Sequence, residues 1–267
     1  MLRRNLAPVW IGIILLSGMF LMGQANVCDY IQGAWQGPVT HSKHEGMILG
    51  EFGIILTISS SGNWGVCDYT VSGTLMGVAI ENGEWNEDTR HVTFQITWPT
   101  SSGSLVVFDC FLSHDETMLD CNFTHEGYSG EVNAAKVNDL PENPDPSTPL
   151  FDYTRSYPVP GDTGVPLRPT FVLAWSKPMA PQWNINVDYE SNPACGEFHG
   201  LYFTEAGYLV AEHAHQFQFE EAGDSLLPYC AYILRVKTCG DASGFRDPFG
   251  VYAGCPWPEV DFTTGGS

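Results

Sequence analysis

Residues 157–179 read YPVPGDTGVPLRPTFVLAWSKPM, and this stretch decides the fold of the half of the chain that follows it. Pro158, Pro160, Gly161, Gly164, Pro166 and Pro169 hold the backbone in extended and turn conformations and remove amide donors, so a helix is excluded. A strand has to follow. In it Phe171, Leu173 and Trp175 share one face and Val172 and Ala174 the other, the two-residue period of a strand with one buried side, before Ser176, Lys177 and Pro178 end it.

Working outward, Arg3 and Arg4 precede an apolar run from Val9 to Gly23, and Gly23, Gln24 and Ala25 form a small-residue cleavage site, the pattern of a secretory signal peptide over residues 1–25. The residues before Cys28 lack a lipoprotein pattern, so no lipid anchor and no membrane insertion after cleavage are expected. Cleavage leaves 242 of the 267 residues, enough for two domains. Losing Arg3 and Arg4 takes the formal charge from −20 to −22, which repels phosphates and argues against nucleic acid as a partner. Residues 138–149, NDLPENPDPSTP, are acidic, Pro-rich and without apolar period, and read as a semi-extended linker between a domain over 26–137 and another over 150–267.

The eight cysteines divide evenly about that linker, which in an exported chain reads as two disulfides per domain. Around a turn at residues 114–117 a hairpin places Leu112 opposite Leu119, Cys110 opposite Cys121 and Phe108 opposite Phe123, so Cys110 and Cys121 face each other as a cross-strand disulfide needs. Cys28 with Cys67 follows by elimination. In the second half Cys230 and Cys239 lie along one expected strand, about 30 Å apart if extended, and cannot pair. Cys195 with Cys230 and Cys239 with Cys255 is the favoured arrangement.

From Tyr30 to Val137 apolar residues alternate in short runs, as in Ile54 to Ile58 and in Val92, Phe94, Ile96 and Trp98, with no helical period anywhere. Up to eight strands are expected, with turns at residues 60–65, 81–83, 86–90, 100–103, 114–117 and 126–128. Such a chain of hairpins makes an up-and-down antiparallel barrel or a flattened sandwich. The whole protein is therefore expected to be all-β, with seven candidate strands in the second half forming a β-sandwich.

Two resemblances bear on this. Pro160, Gly161, Gly164, Val165 and Pro166, then Trp175, Ser176, Lys177, Pro178 and Met179, resemble the opening of the bacterial Ig-like domain first described in S-layer proteins. Leu227, Pro228, Tyr232, Leu234 and Val236, the turn Asp241, Ala242, Ser243 and Gly244, and the closing Phe262, Thr263 and Thr264 match that pattern to its end. The segment from Asp247 to Pro258, bearing Cys255, Pro256 and Trp257, departs from it. Ile31, Gly33, Trp35 and Gly37 at the start of the first half, with Gly130, Ala134 and Lys136 at its close, resemble the corresponding segments of secreted lipocalin-like small barrels. The first resemblance implies an Ig-like sandwich that spaces or displays other modules on a bacterial surface, with Tyr232 a candidate tyrosine-corner residue or an ordinary core aromatic.

Reactive constellations are scarce. Asp162, Thr163 and Gly164 spell the D-T-G of aspartic proteases, but in a single copy with no apolar strand leading in, which reads as a turn. His213 and His215 would share a strand face about 7 Å apart, close enough for a metal, yet with no third ligand they read as polar positions on the wet side of the strand. His41 and His44 read as solvent-exposed. Asp139, Glu142, Asn143 and Asp145 in the linker could offer oxygens to Ca²⁺, though an acidic run between domains is usually just solvated. Trp64, at a turn, and Trp257, between prolines, are the candidates for exposed sugar-stacking rings.

These readings point to a non-enzymatic exported binding or structural module of a bacterium, secreted, periplasmic or on the cell surface, without a resident cofactor. Its partners would be a cell-surface or extracellular protein or glycan. The alternatives are a lipocalin-like carrier of a small apolar ligand, which requires a hollow barrel, and a carbohydrate-binding or hydrolase-accessory protein.

Overall fold

In the computed structural model the described residues are 29–60, 68–98, 103–181, 186–189, 195, 203–238 and 244–266. The signal segment, Trp64, Cys28, Cys67, Cys239 and the Asp241–Ser243 part of the expected turn lie outside them. Residues from Ile31 onward form one compact unit. Among the described residues no helix is long and apolar enough to cross a membrane.

The first half runs through strands β1 (Gly33–His41), β2 (Ile48–Ser60), β3 (Asp68–Leu75), β4 (Val78–Ala79), β5 (Glu81–Asn86), β6 (His91–Thr97), β7 (Leu105–Leu112), β8 (Met118–His125) and β9 (Tyr128–Asn138). Apart from the two-residue β4, each pairs antiparallel with its neighbours in sequence, and β9 returns to β1, closing an eight-stranded up-and-down barrel. Strict alternation builds it. In β7 Val106, Phe108, Cys110 and Leu112 point in while Leu105, Val107, Asp109 and Phe111 point out. The hairpin register is the one read from the sequence, with Cys110 opposite Cys121, Phe108 opposite Phe123 and Leu112 opposite Leu119.

The opening and closing residue patterns meet at the seam between β1 and β9. Trp35 is fully buried, its indole N–H donates to the Ile31 carbonyl at 3.0 Å, and the Lys136 ammonium sits 5.4 Å from its ring centroid. One expected turn is displaced. Residues 81–83 belong to β5, where Asn82 has a φ of 49° and the register slips, so Gly83 marks a bulge, while the chain reverses at Met76 and Gly77 instead.

The second half contains β10 (Asp162–Val165), β11 (Phe171–Ala174), β12 (Asn186–Tyr189), β13 (Phe203–Leu209), β14 (Ala214–Phe219), β15 (Ala231–Arg235) and β16 (Glu259–Thr264). One sheet has the order β10-β16-β15-β12, with β10 and β16 parallel, and the other β11-β14-β13. Bridges from Phe151 to Trp175 and from Tyr157 to Val172 lay a further edge along β11. With that edge as A, this is the two-sheet strand order of an immunoglobulin-type sandwich. Phe171, Leu173 and Trp175 from one sheet and Tyr232, Leu234, Val260 and Phe262 from the other fill a shared core. At the turn into β15 the Tyr232 hydroxyl accepts from the Leu227 amide at 2.8 Å while its ring is buried, the arrangement of a tyrosine corner.

Candidate functional site

Strand β2 is longer than its partner. It pairs with β3 only from Ile54 onward, so the edge before Ile54 would present bare amides to solvent. Carbonyls of the second half cover it instead. The Glu51 amide donates to the Met179 carbonyl at 2.9 Å and the Gly53 amide to the Pro248 carbonyl at 3.0 Å. Gly53 is required by this approach, because a β-carbon there would lie 2.7 Å from the Phe249 ring and from the Pro248 oxygen. Met179 closes the Ser-Lys-Pro-Met run, and Pro248 and Phe249 open the segment that runs to Pro258. These two loops thus build the junction.

Buried polar groups gather around that junction. Lys177 donates to Asp247 Oδ2 at 2.8 Å and to the carbonyls of Asp145 and Ser147 at 2.6 and 3.0 Å. Asp247 is fully buried, and its other oxygen accepts from the amides of Phe249 and Val251. The carboxylate therefore holds the docking turn while the ammonium clamps the connecting segment, which is pinned rather than free. Glu51 reaches from the barrel, accepts from Gln36 Nε2 at 2.8 Å, and has its pKa raised chiefly by burial. The Tyr208 hydroxyl accepts from the Met179 amide at 3.0 Å, and burial pushes its pKa up.

Behind it, in the sandwich core, His215 Nδ1 and Glu205 Oε1 are 2.5 Å apart with both side chains out of contact with water. Burial drives the His215 pKa well below its ordinary value, toward the neutral imidazole. A single proton held between ring and carboxyl leaves this pair without net charge, the cheapest state in a dry core.

This geometry corrects the reading of His213 and His215 as neighbours on a wet strand face. His213 ends the 3-10 turn Val210–Glu212 in the left-handed region, and only His215 enters β14, facing inward with Phe217. His41 is likewise not exposed. At 5% exposure it lies among His44, Phe123, His125 and Tyr128, with ring centroids 5.6 to 6.4 Å away, and burial first and these imidazoles second lower its pKa.

The oxygens of Asn143, Asp145 and Asp139 in the linker have protein partners, and Asp145 Oδ2 also lies 3.4 Å from the Lys177 ammonium. Asn143 Oδ1 accepts from the Asp145 amide and Asp145 Oδ1 from the Ser147 amide, while Asp139 pairs with Lys136 at 3.2 Å. No group of three His, Cys, Asp or Glu side chains among the described residues is placed to hold a metal ion. Asp162, Thr163 and Gly164, read as a turn, instead lie in β10 beside β16, and Asp162 Oδ2 accepts from the Val159 amide at 2.9 Å at the turn that leads into it. Trp257 is 39% exposed. Cys110–Cys121 and Cys195–Cys230 are disulfides, and Cys255 is bonded to a cysteine outside the described residues.

Inside the barrel, Phe52, Phe94, Phe108 and Phe123 interlock, and an apolar cavity lined by Phe52, Phe123, Trp98, His125 and Pro181 measures about 20 Å³. That is room for about one water molecule. Compared with protein-family models, curated proteins and solved structures, the chain finds no match.

Proposed function

We propose that this chain is a non-enzymatic, exported binding and display module of a bacterial cell, in which an Ig-like sandwich carries a solid barrel as one body. The observation that carries the reading is the covered edge of β2, whose amides at Glu51 and Gly53 take backbone carbonyls from Met179 and Pro248. Two parts joined by main-chain hydrogen bonds, from loops that the buried Lys177–Asp247 pair braces, keep a fixed orientation, which suits presentation of a surface rather than opening of a cleft. Disulfides fit an oxidising extracellular setting. The apolar cavity beside Trp98, at about 20 Å³, has room for about one water, so it does not by itself support the carrier alternative.

Small-angle scattering on the exported chain tests this. The intact protein is expected to scatter as one body, and Gly53→Val, which forces the Phe249 turn off the barrel, to expand it. Intact protein whose scattering requires two independently moving halves would overturn the reading.

A further inference from the structure

The described residues include five arginines, and four of them spend their guanidinium donors on oxygen. Arg90 donates to the carbonyls of Leu112 and Ser113, and Arg155 to Asp152 and to the carbonyls of Trp175 and Glu212. Arg168 donates to the carbonyls of Glu221, Ala222 and Asp224, and Arg235 to Glu259. Arg246 is different. Among the described residues no oxygen accepts from its side chain, whose contact is the Tyr252 ring, 5.8 Å from the guanidinium carbon. This happens in a chain with 31 acidic residues, so carboxylates are not scarce.

Nor is Arg246 simply loose in water. It is partly buried, desolvation lowers its pKa, and its backbone is fixed by the Ala180 amide donating to its carbonyl at 2.9 Å and by the bridge to Tyr252. It stands beside the Asp247–Val251 turn that docks on the barrel, so its position is set before any partner arrives. A ring beneath a guanidinium engages its face and leaves the in-plane N–H donors along its edge unused. Tyr252 is itself 39% exposed, an amphipathic ring next to the fork.

We propose that Arg246 and Tyr252 form a binding site for a sugar-borne carboxylate, a uronic-acid unit at the end of a glycan. The fork matches a carboxylate in two parallel hydrogen bonds, and the half-exposed ring offers an apolar face to the C–H side of a pyranose. A polyanion is disfavoured by the overall charge of −20, whereas one carboxylate on an otherwise neutral sugar meets only the local cation. The assignment names a ligand for the binding module proposed above and rests on that reading.

Calorimetric titration of the full exported chain with methyl glucuronide, methyl glucoside, and a short peptide with a free terminal carboxylate tests it. Glucuronide is expected to bind at least about tenfold more tightly than glucoside, with Arg246→Met abolishing that preference and Arg246→Lys losing about tenfold. Arg235→Met, which removes one charge elsewhere, is expected to change nothing, and thermal unfolding confirms that each variant folds. Glucuronide binding no better than glucoside, Arg246→Met binding like the parent, or peptide binding as tightly as glucuronide would each overturn the site. Such a failure with single-body scattering intact refutes the ligand alone, whereas scattering from two moving halves refutes the module.

Discussion

Inside the barrel the inward positions of β6, β7 and β8, from Val92 to Phe123, are apolar throughout, whereas the sandwich and its junction bury Glu205, His215, Lys177 and Asp247. Both regions are built from strands of alternating inward and outward residues. β6, β7 and β8 pair only within the barrel, so their inward face is hydrophobic filling. The second half must also grip the first, and the Lys177–Asp247 pair ties together the loops that do so, while Glu205 and His215 meet within the core beside the bulge between β13 and β14. Removing one member of such a pair strands the other in a dry site, so these few residues are expected to outweigh any single barrel contact.

The largest expected effect is therefore Asp247→Ala, which takes the buried counter-ion from Lys177 and the acceptor from two turn amides and should cost about 3–5 kcal/mol in urea unfolding. Amide exchange should show protection lost in β11 and β14–β16 before β6–β8. Equal loss in both regions would erase the contrast. Replacing Cys110 and Cys121 together with alanine tests the barrel side. It should cost about 2–3 kcal/mol through the freed unfolded chain, and amide exchange should place the loss in the barrel. Tyr232→Phe should cost about 1 kcal/mol by leaving the Leu227 amide without its acceptor, measured by the shift in unfolding midpoint.

The smallest effect concerns Glu51. Its folded pKa lies above the ordinary value of 4.5, so folding favours its protonated form. That stability is fully present below pH 4.5 and is lost as the pH rises through the raised folded value. Glu51→Gln keeps an acceptor without the charge, and is expected to be more stable than the parent at neutral pH and equal to it below pH 4.5. A difference that does not depend on pH would remove Glu51 as its source.

How much of this could be read from residues alone divides along the same line. The barrel hairpin from Leu105 to His125 follows from alternation, and so do Cys110–Cys121 and the seven strands of the second half. The Cys195–Cys230 disulfide also forms as favoured. His215 was legible in principle, because it shares parity with Phe217 and Phe219 and so belongs on their face, but polarity outweighed phase. Glu205 was harder, since the bulge before Gly207 breaks the phase of β13. The junction was hidden. That Asp247 would hold Lys177, 70 positions away in sequence, depends on tertiary placement, which no local pattern encodes.

The uneven lengths of β2 and β3 have a consequence for the chain as it is synthesised. The first half emerges before Met179 and Pro248 are made, so for that interval the strand margin at Glu51 and Gly53 has nothing of its own chain to bind. A product truncated within residues 138–149 would keep that margin open for good and offer it to sister molecules. Intact chains, once complete, seal it with their own carboxyl-terminal half.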